Sequence, residues 1–240
     1  MSDAEPSTCS VTDVTVPLDE ANAVPGRWIA APGARASIVL AHGAGTGMNH
    51  RSMAGIADGL ARRGVSSLRF EFPYMARGSR RPDPPAVAQA AVRAAVTQAR
   101  RLCGALPLFA GGRSFGGRMT SQAQAAAPLE GVRGLVFFAF PLHPAGKPST
   151  DRAAHLGDVQ IPMLFLQGSR DALALPDLLG ATVEALARAN LHVVEGADHS
   201  FHVPASSGRK DADVLDEILD RATAWMKANL PSGPDQVSTS

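Results

Sequence analysis

The sequence predicts an α/β domain: a mostly parallel, twisted sheet of about seven to eight strands flanked by helices on both faces. Three observations lead there. From Ala36 onward, short runs of near-continuous apolar residues alternate with longer amphipathic segments, the pattern of strands buried on both faces and helices buried on one. The length, 240 residues, suits one such domain rather than two. Residues with chemical potential fall just after the apolar runs, where an open parallel sheet places its ligands.

Taken in order, alternation in Val11–Val16 and the run Gly26–Ala30 predict an opening antiparallel pair, with Pro17 and Pro25 bounding its link. The alternating series then begins: strand 36–41, a helix near 50–63, strand 65–70, a helix near 85–103, strand 106–110 and helix 115–126. Strands 133–139 and 162–167 follow, then helix 176–189, strand 191–195 and helix 211–229. The connection Pro141–Ile161 has room for one helix and a loop, so no large cap domain is expected over the strand ends. The loop Arg77–Pro85, charged and stiffened by prolines, is expected to border the site. Residues 1–10 are expected to form a flexible N-terminus, 11–230 the domain, and the Pro- and Ser-rich 231–240 a disordered tail.

Composition narrows the function classes. A formal net charge of +1 leaves no electrostatic footprint for nucleic acid or a lipid surface. Cys9 and Cys103, the only cysteines, form neither a disulfide framework nor a metal-ligand cluster, and they fit a reducing compartment. The start Met1–Pro6 has no basic or apolar signal character, and no window reaches the ~18 apolar residues of a spanning helix, so a cytoplasmic location is expected. His50, His155, His192 and His202 lack metal-ligand spacing, and no phosphate-cradling glycine motif stands between a strand and a helix. No metal and no cofactor are therefore expected. Oligomeric state is not fixed by the sequence.

The chemistry centres on Gly112-Arg113-Ser114-Phe115-Gly116, which follows the apolar run Leu106–Ala110 and precedes a helical segment. A serine between glycines in that context reads as a nucleophile elbow, a strained strand-to-helix turn that pushes the hydroxyl out above the sheet. Asp171 follows the apolar run ending at Gly168, and His199 follows the strand-like 191–195. The order Ser, Asp, His, each after a separate strand, is the chain order of α/β-hydrolases. Asp198 is a rival acid, but a neighbour in sequence seldom reaches the next imidazole from the correct side. His42-Gly43-Ala44-Gly45 follows strand 36–41, and the N–H groups of Ala44 and Phe115 are the expected oxyanion donors. His42 and Gly43 also count as substrate-binding candidates. Arg113 reads either as a structural brace or as a guanidinium that attracts an anionic substrate, with the brace favoured. His143 and Lys147, fixed between Pro144 and Pro148 at a strand end, either hold a carboxylate or face solvent.

The segments His42–Gly47, Leu68–Met75, Gly111–Arg118, His143–Pro148, Gln167–Asp171 and Asp198–Phe201 together resemble the KANL3/Tex30 family of α/β-hydrolase-like proteins, over about residues 36–229. More loosely, the chain is similar to dienelactone hydrolases. The resemblance implies the α/β-hydrolase fold and carries Ser114, Asp171 and His199 over as the triad. Dienelactone hydrolases typically use cysteine where this chain has Ser114, so that particular activity is not implied. The function expected is a serine hydrolase that cleaves a small carboxylic ester or thioester through an acyl-enzyme. The alternative is a non-catalytic interaction module that retains the fold, a role that some eukaryotic members of the family resemble.

Overall fold

A computed structural model describes residues 9–231. The predicted disordered tail, from 232 on, and all but Cys9 and Ser10 of the predicted flexible N-terminus lie outside them. The chain opens with strands β1 (Ser10–Pro17) and β2 (Ala23–Ala30). Then come β3 (Ala36–Ala41), α1 (Arg51–Arg62), β4 (Val65–Phe70), the short α2 (Pro73–Ala76) and α3 (Pro85–Cys103). The series continues with β5 (Leu108–Arg113), α4 (Phe115–Ala126), β6 (Val132–Phe138) and β7 (Met163–Gly168). It closes with α5 (Pro176–Glu184), β8 (Ala189–Val194) and α6 (Asp211–Ala228).

The eight strands form one sheet in the order β1-β2-β4-β3-β5-β6-β7-β8. β1 and β2 are antiparallel to their neighbours, and every pairing from β4 to β8 is parallel. This is the mostly parallel, two-sided sheet that the alternating pattern predicted, in the α/β-hydrolase arrangement that the resemblance implied. The connection between β6 and β7 holds a single 3-10 segment, Asp151–Asp158, and among the described residues no cap domain covers the strand ends.

The period of two along each strand divides the core. In β3, Val39 and Ala41 join the cluster beneath α3, α4 and α5, whereas Ile38 and Leu40 join the one beneath α1 and α6. Phe137 and Phe138 of β6 divide the same way, both fully buried. Each such ring contributes roughly 2–3 kcal/mol by burial, so the sheet is held from both sides.

The larger departures from the expected boundaries lie at three places. Pro25 does not bound the opening pair but lies within β2, opposite Thr15. The β2–β4 ladder begins only at Gly26, so the missing N–H of proline costs no bond there. β5 starts at Leu108, after Pro107, and runs on through both glycines to Arg113. A Cβ at Gly111 would lie 1.9 Å from the Val136 carbonyl oxygen, so only glycine fits at that crossing. Finally, α5 stops at Glu184 rather than 189. The Arg188 carbonyl already accepts from Met163 N–H at 2.8 Å, which draws the chain into β8 two residues early.

Candidate active site

Ser114 sits between β5 and α4 with φ 51° and ψ −117°, a conformation that costs an L-residue about 1–3 kcal/mol. The turn is possible because its flanks carry no side chains. A Cβ at Gly112 or at Gly116 would come within 2.2 Å of the Ala41 carbonyl oxygen. The glycines therefore let the elbow press directly onto the end of β3, and the serine is left at the mouth of the sheet.

His199 and Asp171 come to meet it from the ends of β8 and β7. His199 Nε2 lies 2.9 Å from Ser114 Oγ, and His199 Nδ1 lies 2.6 Å from Asp171 Oδ2. A carboxylate only accepts, so Nδ1 carries the proton and the Nε2 lone pair faces the serine hydroxyl. Asp171 is fully buried, whereas the imidazole is 22% exposed and open to a substrate. Leu173 N–H donates to Asp171 Oδ1 at 2.7 Å, and Gln167 Nε2 donates to Oδ2, which completes the carboxylate's shell. The rival Asp198 is otherwise occupied: its Oδ1 accepts from Ser200 N–H at 2.7 Å and His202 N–H at 3.0 Å, shaping the loop that presents His199.

The loop Gly43–Ala44 lies against the elbow. A Cβ at Gly43 would be 3.5 Å from Arg113 NH1 and 3.7 Å from the Arg113 carbonyl oxygen. Phe115 opens α4, so its N–H is one of the unpaired donors of a helix start. Among the described residues, neither this N–H nor that of Ala44 is engaged by another protein group.

Several residues assigned from sequence to substrate binding stand elsewhere. His42 is wholly buried, with Nδ1 2.7 Å from the Gly43 carbonyl oxygen and Nε2 accepting from Phe72 N–H at 3.1 Å. It cannot touch a substrate; it fixes the loop. His143 is likewise buried, with Nδ1 2.9 Å from the Pro144 carbonyl oxygen and Nε2 accepting from Leu175 N–H at 3.1 Å. The substrate-binding expectation fails for both, because each ring is buried with its nitrogens held inside the protein, on backbone groups and, for His42 Nε2, also 3.2 Å from Glu71 Oε2. Lys147 is exposed in its loop. Arg113 donates to the His199 carbonyl oxygen and to Ser200 Oγ, both at 3.2 Å, and so braces the histidine loop rather than a buried carboxylate.

Sequence reasoning gave no role to the residues that hold this arrangement. Glu71 Oε1 accepts Met48 N–H at 2.9 Å, Tyr74 hydroxyl accepts Gly45 N–H at 3.2 Å, and Arg69 NH1 donates to the Met48 carbonyl oxygen at 3.1 Å. With Phe72 N–H, the segment 69–74 stitches the whole loop 42–48 in place. The available signal was a charged residue on either side of Phe70 in a strand otherwise read as buried. The loop Arg77–Pro85 does border this region: its Arg80 carbonyl oxygen would lie 3.9 Å from a Cβ at Gly45.

A lidless parallel sheet with serine on a strand-to-helix elbow and histidine and aspartate on later strand ends defines the α/β-hydrolase class. The chain belongs to the alpha/beta hydrolase domain family, which matches residues 34–227. Among solved structures it is similar to a dienelactone hydrolase from Anabaena variabilis, with 20% identity, TM-score 0.74, and coverage of 92% of this chain and 99% of that one. It is also similar to an α/β serine hydrolase without a lid from Xanthomonas campestris, with 22% identity, TM-score 0.68, and coverage of 95% and 98%. Est1E from Butyrivibrio proteoclasticus matches at 13% identity and TM-score 0.68, over 92% of this chain and 99% of that one. At these identities the likeness is one of fold. No helix among the described residues is long and apolar enough to cross a membrane.

Proposed function

We propose that the protein is a cytoplasmic serine hydrolase acting on a small carboxylic ester or thioester, with Ser114, His199 and Asp171 as its triad. The observation that carries this reading is the unbroken hydrogen-bond chain from Ser114 Oγ through both His199 nitrogens to the buried Asp171 carboxylate. In the reaction, Ser114 Oγ bonds to the carbonyl carbon as its proton passes to His199 Nε2. Asp171 stabilises the imidazolium, and the N–H groups of Ala44 and Phe115 receive the oxyanion. The tetrahedral species collapses, the bond to the alcohol or thiol breaks, and His199 returns the proton to the leaving group. Water then repeats the sequence on the acyl-enzyme, releasing the acid and restoring the serine. The dienelactone hydrolase and esterase neighbours support an ester-type carbonyl in fold terms. The finer kinship with the KANL3/Tex30 family belongs to the same reading and rests on the motifs quoted above.

The experiment is labelling of the purified protein with a fluorophosphonate probe, followed by a screen of short-chain esters. Labelling is expected in the wild type and is lost in Ser114→Ala and His199→Ala, with turnover falling by roughly 10³-fold or more in each. Folded protein that takes no label and turns over no ester would instead favour the interaction module.

A further inference from the structure

Beside the elbow and the histidine loop lies a cavity of about 330 Å³ whose wall holds none of the proposed triad side chains but includes the neighbour of the nucleophile, Arg113, and the neighbour of the base, Ser200. Its sides are the opening turns of two helices, Arg51, Ser52, Gly55 and Ile56 of α1 and Asp211, Ala212, Leu215 and Ile218 of α6, with Phe201 between them. From these features we infer that the cavity is a subsite for a substrate that carries a carboxylate at the end remote from the scissile carbonyl. The substrate class would be half-esters or half-thioesters of short dicarboxylic acids. The inference rests on the hydrolase reading and names the substrate class for the same site.

The charge distribution points to an anion. Arg113 spends only NH2 on protein partners, and both are neutral, the His199 carbonyl oxygen and the Ser200 hydroxyl. Burial pulls its pKa down, against the raising influence of Asp171 and Asp198, yet a guanidinium stays charged in a protein. Arg51 adds a second guanidinium, and among the described residues neither arginine has a carboxylate within ion-pair distance. The single acid in the wall, Asp211, has its oxygens 2.9 and 3.0 Å from His202 Nδ1, with Oδ1 also accepting Val203 N–H at 3.1 Å. The Arg51 charge acts on it at longer range, so it offsets part of the positive charge and leaves Arg113 as the main anion partner. α1 and α6, of 12 and 18 residues, both present their N-terminal ends here, and the positive ends of two helix dipoles reinforce the same preference.

The remaining surface selects the body of the ligand. Ile56, Leu215, Ile218 and Phe201 supply an apolar lining, so a hydrated inorganic anion would leave the cavity unfilled, whereas a short methylene chain ending in a carboxylate satisfies both surfaces. The volume is at the small end of the roughly 300–1,000 Å³ usual for small-molecule sites, which limits the chain to a few carbons. Because Arg113 bonds the carbonyl of His199, an anion on its free edge would also steady the loop that carries the base.

Two measurements test this. In the first, Ser114→Ala protein is titrated calorimetrically with monoethyl glutarate and with ethyl butyrate. The anion is expected to bind at least tenfold more tightly, and the difference should disappear when Arg51→Met or Arg113→Met is added. Arg51 is exposed, so that variant tests the idea even where the Arg113 change disturbs folding. In the second, wild-type kcat/KM is compared for the mononitrophenyl ester of glutaric acid and nitrophenyl butyrate, with an expected ratio of at least ten that collapses towards one in both arginine variants and recovers in Arg113→Lys. Equal affinity and a ratio near one in an enzyme that labels with fluorophosphonate would overturn the subsite and leave the hydrolase reading standing. Selective anion binding in a protein that neither labels nor turns over either ester would overturn the hydrolase reading, and with it the assignment of the anion as substrate.

Discussion

At the scale of single residues, the partners of the histidines separate chemistry from support. His199 alone combines a carboxylate on one nitrogen with a serine hydroxyl on the other. His155 makes a similar contact, with Nε2 2.7 Å from Ser121 Oγ, but Ser121 is fully buried in α4 and its hydroxyl also lies 2.9 Å from the Arg118 carbonyl oxygen. Burial, reinforced by the Arg118 guanidinium, pulls the His155 pKa down to about 4, so the folded protein keeps this ring neutral. The sign of the linkage follows. Below its ordinary pKa the unfolded chain takes up a proton that the native state refuses, so stability present above pH 6.5 is lost as pH falls towards 4. Allowing for partial solvent screening, the loss is about 2 kcal/mol. Urea denaturation at pH 7 and pH 4.5 should show that His155→Gln lacks this share of the acid sensitivity; parallel curves for the two proteins would rule the effect out. Gln167 and Glu71 belong to the same scale. Each is a polar side chain set into an apolar strand or just past its end, and each holds part of the proposed machinery. Neither carries a motif of its own, and a sequence shows that such a residue is buried without showing which atom it meets.

At the scale of elements, glycine placement explains why the elbow could be read from the sequence and its surroundings could not. The pentapeptide around Ser114 announces a turn, but the reason for Gly116 lies 75 residues away: a Cβ there would meet the Ala41 carbonyl oxygen at 2.2 Å and the His42 carbonyl oxygen at 2.6 Å. Backbone atoms cannot rotate aside as a side chain can. Gly116→Ala is therefore expected to cost more than about 3 kcal/mol, whereas Gly157→Ala, with no heavy atom within 4 Å of the new Cβ, should stay within about 0.5 kcal/mol. Urea midpoints for the two variants decide it, and similar values would mean that β3 and the elbow can part without penalty. The buried central strands were legible because both faces are apolar, which leaves a continuous run. β8 was not so clear: it lies at the sheet edge with only Val194 buried, and its first residues merged with the preceding helical pattern. Pro25 misled for the related reason that a proline looks like a boundary unless the neighbouring ladder is known to start after it.

At the scale of the whole molecule, the sheet's two faces have different duties. α3, α4 and α5 close one apolar cluster, while α1 and α6 close the other and also build the wall of the proposed anion subsite. Three contacts set how α1 and α6 lie together. Beyond the C-terminal end of α1, Arg63 reaches Asp216 at 2.9 Å and Asp220 at 2.7 Å, though both carboxylates are largely exposed and such pairs are worth little. At Gly55, a Cβ would touch Leu215 Cδ2 at 3.4 Å, an ordinary contact. The tight point is Gly59, where a Cβ would fall 2.2 Å from Leu219 Cδ1. Leucine can rotate away from a single methyl, so alanine at that position is tolerable, but a branched side chain leaves it no room. Gly59→Val is expected to push the helices apart, at a cost of about 1–3 kcal/mol in stability from overpacking. The cavity sits between the opening turns of the same two helices, so the displacement should also reach Ile56 and Leu215 and lower the preference for a carboxylate-bearing ester. Denaturation midpoints together with the ratio of kcat/KM for the anionic and neutral esters check both parts. A valine variant with the wild-type midpoint and an unchanged ratio would show that the helix pair is not what fixes the cavity. A lowered midpoint with an unchanged ratio would place the control of specificity in Arg113 and the histidine loop alone.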